Sequence, residues 1–375
     1  MKKAFLIFLC LLLTFGCAAK TTPQPPETTA PTAQESQAPA PVSEIVIATP
    51  AATPVPTPEP TLEPTPEPTP EPVGSHYTFN PKVASAFFGE VFGEQMVETW
   101  FNLVDAVMAG ETTFACPDDH TYAWVTGQFP DKCLPPLYGQ IVTDPTVDPD
   151  HPVQDGVAHI AYVTSPEELK ARIDAFGTLV EDILNEALKD GDSDFEKAFA
   201  LYSYFAGHYE YDYDTYYLMY DTYVDYLSTY RLLTTGKGIC CEIGSAYAYL
   251  LMQAGVEAAN MGGHDHDWAY VRINGREYHI DPTWAVDTDG SLAYLMMDDA
   301  QREREGYPKD QHIILCNYAE DHPHPDYVAD DDTFSALWVG FDAAMDRAAK
   351  TLHFWYYDEN DDGALKEATF DYTGY

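Results

Sequence analysis

Positive charge is scarce in this chain: 19 Lys and Arg residues stand against 61 Asp and Glu, for a formal net charge of −42. That balance disfavours nucleic acid and anionic lipid head groups, which bind basic surfaces. Basic peptides are more compatible partners, although an acidic surface also serves plain solubility. Aromatic residues are nearly absent from Ala18 to about Gly74, where Pro, Thr, Glu, Ala and Gln prevail. Such a composition excludes a packed core, and its prolines favour extended polyproline II. At about 3.1 Å per residue this stalk reaches about 150 Å when fully extended. The apolar run from Ala4 to Leu13, behind Lys2 and Lys3, is too short for a membrane-spanning helix, which needs about 20 apolar residues, and reads as an export signal. Cysteines are few. Cys10 is expected to leave with the signal, which leaves Cys17, Cys116, Cys133, Cys240, Cys241 and Cys316.

The signal ends in Thr14-Phe15-Gly16-Cys17, which resembles a bacterial lipobox. The resemblance makes Cys17 the lipid-modified residue and places the protein on the extracellular side of a bacterial cell membrane, anchored there by lipid. With Cys17 used, the odd number of cysteines left is consistent with a working thiol. Cys116 and Cys133 are either bridged or two free thiols. The organisation expected is a signal peptide over 1–17, a disordered stalk over 18–74, a mixed N-terminal subdomain over 75–163, a catalytic core over 164–305 and a C-terminal extension over 306–375.

Three short motifs carry the chemistry: Gly236-Lys237-Gly238-Ile239-Cys240, His266-Asp267-Trp268 and Asp281-Pro282-Thr283-Trp284. Behind Cys240, apolar residues recur at three- and four-residue steps to Ala254 before Gly255, which predicts a helix with a glycine C-cap. A thiol at that helix's N-terminus faces unpaired N–H groups and the positive end of the dipole, which favour a thiolate. The same N–H groups suit an oxyanion. Asn274-Gly275 predicts a two-residue hairpin turn, with Ile273 opposite Arg276 and Trp268 opposite Asp281. His266 then shares a face with Trp268 and lies diagonal to Asp281, roughly 7–8 Å away between backbones. The pattern assigns Cys240 as nucleophile, His266 as base and then acid, and Asp281 as the group that orients the imidazole.

These motifs resemble the transglutaminase-like domain of the papain-like cysteine peptidase superfamily, over about Ser193 to Trp284. The resemblance implies an α+β fold in which the Cys helix packs on an antiparallel sheet carrying His and Asp. It implies a cysteine enzyme that acts on peptide or amide bonds through a thioester, by hydrolysis or by transfer to an amine. The substrate expected is a protein, a peptide or a cell-wall peptide. The alternative is a non-catalytic module that keeps the fold and binds peptide or glycan. Cys241, next to the nucleophile, is expected to turn into the core. A rival metal site at His264 and His266, with Asp265 and Asp267, matches no helical ligand spacing, so no metal or cofactor is expected.

The Tyr-rich stretch just before the nucleophile is a candidate cleft wall, and Trp268, Tyr211 and Tyr213 are the expected substrate contacts. Its members at three- and four-residue spacing, among Tyr216, Tyr217, Tyr220, Tyr223, Tyr226 and Tyr230, are expected to pack in the core. Elsewhere the pattern predicts an apolar-periodic segment from Ala84 to Met108 and a strand from Val157 to Val163. Capping boxes predict helices starting behind Ser165 and Ser193. A buried strand is expected over Leu292–Met297 and a helix over Phe334–Thr351. Asp358 to Gly363 resembles the start of an EF-hand loop, but Thr369 stands where the bidentate Glu belongs, so a hairpin turn is expected.

Overall fold

The computed structural model describes residues 77–263, 265–288, 290–315 and 326–375. Cys17, the signal, the stalk, His264 and Cys316 lie outside the described residues. A single compact unit contains every described residue. Its centre is a four-stranded antiparallel sheet in the spatial order Ile313–Ile314, Glu257–Gly262, Asp267–Ile273, Arg276–Ile280. The last two strands form the expected hairpin, with Ile273 opposite Arg276 and Ala269 opposite Ile280. Asn274 and Gly275 have φ of 52° and 74°, the left-handed pair that a type I′ turn requires.

Against this sheet lies the Cys240–Gln253 helix, whose residues are all buried except Cys241. A helix that is apolar on all sides must be enclosed on all sides. Here the helices Phe129–Cys133, Asp194–His208, Thr229–Thr235 and Pro282–Asp287 supply further cover. Close approach to the sheet depends on Gly244, where a Cβ would stand 2.9 Å from the Trp268 Cα. Both capping boxes form. The Ser165 Oγ accepts from Glu168 N at 3.2 Å and the Ser193 Oγ from Glu196 N at 3.2 Å, each with the reciprocal bond to the Glu carboxylate. They open the helices Pro166–Ala187 and Asp194–His208.

The N-terminal region is helical over Ala86–Phe92 and Glu94–Ala109, broken at Gly93, whose φ of 85° and ψ of 155° no helix accommodates. Val157–Tyr162 is the strand expected there, paired with Thr113–Ala115, Ile141–Thr143 and Val153–Gln154. Cys116 and Cys133 are free and buried, and burial pushes the Cys116 thiol up to about 11.

Two expected elements are replaced. Leu292, Leu295, Met296 and Met297 are buried, but the segment is irregular and only Met297 pairs, with its backbone exchanging bonds of 2.8 and 2.9 Å with His279. The helix expected over Phe334–Thr351 is instead a 3₁₀ turn at Ser335–Leu337 followed by the strand Gly340–Asp346. That strand belongs to a three-stranded antiparallel sheet with Thr351–Asp358 and Ala364–Asp371. Non-local pairing overrides the local helical period here: Leu352 and Phe354 alternate with exposed neighbours, and Phe354 packs on Gly340. At the hairpin that ends it, Lys366 Nζ lies 2.7 Å from Asp358 and 3.0 Å from Asp361. An ammonium thus occupies the position a calcium ion would need, and the loop is a plain turn. The sheet is fastened to the Asp194–His208 helix by Lys350 and Tyr372, both on the buried Glu196 carboxylate.

Gly244→Ala is expected to cost about 1–3 kcal/mol by forcing helix and sheet apart. Urea unfolding measures it, and a midpoint equal to that of the unsubstituted chain contradicts this account of the close approach.

Candidate active site

The start of the nucleophile helix is organised by Glu242, three residues behind Ile239. Its carboxylate accepts Ile239 N at 3.1 Å and Ser228 N at 3.0 Å, satisfying donors that the first turn leaves open. Gly238 is tightly enclosed: a Cβ would meet Leu232 at 2.9 Å and the Glu242 Oε2 at 3.0 Å. Burial raises the Glu242 carboxyl above its ordinary value, against the pull of its N–H donors and of Arg231 at 2.6 Å. Arg231 also reaches Asp212, and Asp212 receives Thr215 N. One guanidinium therefore joins the nucleophile helix to the segment that carries Tyr211. Glu210-Tyr211 pairs in parallel with Lys237-Gly238, directly before Cys240.

That pairing sets the Tyr211 hydroxyl beside the Cys240 sulfur. Burial, then the sulfur's charge, raises the Tyr211 phenol, so it remains a donor. Cys240 is buried and Cys241 half-buried rather than in the core. Burial and the adjacent sulfur push the Cys241 thiol well up. Beyond Tyr211, the residues expected to be core tyrosines are in part on the surface: Tyr217 is 63% exposed and Tyr223 61%, with Tyr226 also exposed. At the Tyr213–Asp221 helix rings pack on one another, Tyr211 on Tyr213 and Tyr213 on Tyr217, while Thr215 is buried.

Across from the sulfur, the hairpin delivers the other two groups. His266 Nε2 lies 2.7 Å from Asp281 Oδ2, and the Asp281 Oδ1 accepts Thr283 N at 3.2 Å as N-cap of the helix Pro282–Asp287. With Nε2 taken by the carboxylate, Nδ1 is the nitrogen left for the hydrogen bond between His266 and Cys240. The imidazole side chain is only 8% exposed and Asp281 is fully buried. Burial by itself disfavours the imidazolium, but the Asp281 charge and then the Cys240 sulfur outweigh it and raise His266 to about 10. Burial likewise works against the Asp281 carboxylate, yet His266 and Arg302 hold it below the usual range. The structure thus brings Cys240, His266, Asp281 and Tyr211 together.

Trp268 does not belong with the substrate contacts. It is fully buried, and its indole N–H donates to His279 Nδ1 at 2.8 Å. Tyr213 is on the surface one ring away from Tyr211. Among the described residues, one group of three possible metal ligands comes together, His279, Asp299 and His312. Because an indole only donates, His279 Nδ1 must accept, and the ring proton sits on Nε2, facing Asp299 at 3.0 Å. That tautomer has no lone pair for a metal on Nε2, and Lys309 already lies 3.3 Å from Asp299. The donor set therefore does not suit a cation. Burial lowers His279 to about 4, keeping it neutral.

Two groups at the site, Glu242 and Arg302, were not anticipated from the sequence. Glu242 sits at capping-box spacing behind Ile239, whereas Arg302 is marked by nothing in its neighbourhood.

Residues 181–285 match the family model of the Transglutaminase-like superfamily, so this segment is a transglutaminase-like domain. Cysteine peptidase and acyltransferase activities are common in that superfamily. Among solved structures, a crystal structure described as a TGase is 21% identical, with a TM-score of 0.26, over 32% of this chain and 34% of that one. A protein from Cytophaga hutchinsonii proposed to be a cysteine protease is 15% identical, with a TM-score of 0.24, over 31% of this chain and 39% of that one. The chain thus spans little more than a third of either neighbour. No curated protein matches it.

Asp281→Asn is expected to lower the His266 titration from about 10, since the Cys240 sulfur alone then opposes burial. Histidine ring ¹⁵N NMR across pH 5 to 11 reads this directly, and an unchanged midpoint refutes the assignment of Asp281 as the dominant partner.

Proposed function

We propose that this protein is a transglutaminase-like cysteine enzyme that attacks a peptide or amide carbonyl and carries the acyl group as a thioester on Cys240. The observation that carries the reading is the ordered contact of three groups: the Cys240 sulfur on His266, and His266 on Asp281 at 2.7 Å. In the first step the thiolate forms a C–S bond with the carbonyl carbon and the carbonyl π electrons move to oxygen. The N–H groups of the first helical turn would receive that charge. Collapse of this intermediate breaks the C–N bond, and the His266 imidazolium gives its proton to the departing amine. In the second step His266, now neutral, takes a proton from water or from an amine as it attacks the thioester, and the thiol is released. Asp281 stays ionised throughout, stabilising the imidazolium.

Hydrolysis is favoured over amine transfer, since water is always present and an acceptor amine needs a site of its own. Exposed Tyr213, Tyr217, Tyr223 and Tyr226 beside Tyr211 support a peptide substrate lying across flat ring faces. The lipobox-like segment at Cys17 and the proline-rich stalk behind it support a position on the outer face of the membrane, within reach of surface or cell-wall peptides.

Two outcomes test this reading. Iodoacetamide is expected to alkylate Cys240 in the full chain at pH 6 at least tenfold faster than in His266→Ala, as mapped by peptide mass spectrometry. Equal rates in both proteins remove the thiolate–imidazolium pair and leave a binding module as the better description, as does a peptide ligand held equally well by Cys240→Ala. With a peptide amide substrate, the alkaline limb of turnover is expected to lie near pH 10 rather than near 6.5, because leaving-group protonation needs the imidazolium. A limb near 6.5 contradicts His266 as the acid.

A further inference from the structure

Arg302 sits in the last turn of the helix Asp299–Arg304, beyond the segment matched by the family model, and its side chain is fully buried. Its Nη1 lies 2.9 Å from Asp281 Oδ2, the same oxygen that faces His266. The contact lacks the alignment of a hydrogen bond, and among the described residues none of the three guanidinium nitrogens has a hydrogen-bond partner. The planar group is instead clamped between two rings, 4.0 Å from Trp268 and 4.2 Å from Tyr307. Trp268 is itself held by the chain Asp299, His279, indole N–H. A buried guanidinium remains charged, so it needs a buried anion, and Asp281 is the carboxylate it touches.

We propose that Arg302 is a positioning residue of the triad: clamped by Trp268 and Tyr307, it holds the Asp281 carboxylate as an anion in the orientation that receives His266. The inference rests on the triad reading above. The groups that face Asp281 are His266 and Asp267 from the hairpin strand, Arg302 and Tyr307 from the segment behind it, Tyr202 from the Asp194–His208 helix, and Tyr294. Of these, His266 and Arg302 are the cations. Burial opposes ionisation of Asp281, so loss of either cation returns it toward the neutral acid.

The His266 Nε2–H held by a carboxylate gives a low-field proton NMR resonance, which vanishes when that carboxylate is protonated. In the full chain it is expected to persist down to below pH 3.8, the ordinary carboxyl value. In Arg302→Gln it is expected to vanish at least one pH unit higher, at a pH where circular dichroism still shows the native fold. Arg302→Lys, which keeps the charge, is expected to restore the original midpoint. A simple packing role for Arg302 lowers stability without moving the midpoint and treats Gln and Lys alike, so an unchanged midpoint in Arg302→Gln overturns the proposal. If Arg302→Gln does not fold, loss of the resonance at or above pH 3.8 in the unsubstituted chain overturns it equally. Absence of the resonance from the unsubstituted chain at every pH, as expected for His266→Ala, refutes the triad itself.

Discussion

The buried charge of Asp281 is the constraint on which the site depends. A carboxylate with no exposed surface persists as an anion only if the surrounding groups stabilise it. Here one oxygen faces an imidazole and a guanidinium, and the other takes the N–H of Thr283. Each contact has a structural consequence. The bond to Thr283 starts the short helix Pro282–Asp287, the contact with Arg302 ties in the segment beyond the hairpin, and the bond to His266 leaves Nδ1 for the thiol. The same charge makes the imidazolium the favoured form of His266 over a wide pH range.

The nucleophile side is built on the opposite sign of charge but the same logic. The Arg231 guanidinium lies between the Glu242 and Asp212 carboxylates, so the first turn of the Cys240 helix and the segment bearing Tyr211 move as one piece. Glu242 closes the helix N-terminus from the side by accepting the Ile239 N–H. Two ionic clusters, one on each side of the sulfur, thus position thiol and imidazole through rigid elements rather than loops. Close packing at Gly244 sets the separation between those elements. The aromatic rings around His266, from Trp284 and Tyr307 to Trp268, exclude water from the pair and strengthen its electrostatics.

Much of this was legible in the chain because its causes are local. The Asn274-Gly275 turn sets the hairpin register within a few residues, and that register carries His266 toward Asp281. The boxes at Ser165 and Ser193 start their helices through bonds only three residues long. Misreadings arose where a local period competed with a distant partner. The stretch after Phe334 has helical spacing, yet the strand Thr351–Asp358 offers it a full ladder. Trp268 was expected to be a substrate contact, but the strand that carries it is covered on both faces, and the indole is buried onto Arg302 and His279. The tyrosines before Cys240 follow a core-like spacing, and no element of the fold covers several of them.

The sequence by itself determined the order of Cys240, His266 and Asp281 and the helix start and hairpin that hold them, because each depends on residues within a turn or two of chain. Only the tertiary structure decided that Arg302 lies against Asp281, that the Tyr211 hydroxyl meets the Cys240 sulfur, and that His279 serves Trp268 rather than a metal. Those outcomes turn on which side chains from remote segments are buried together and which nitrogen of a ring keeps its proton. Burial and tautomer are properties of the assembled core, where desolvation makes a single charge decisive, and no local spacing encodes them.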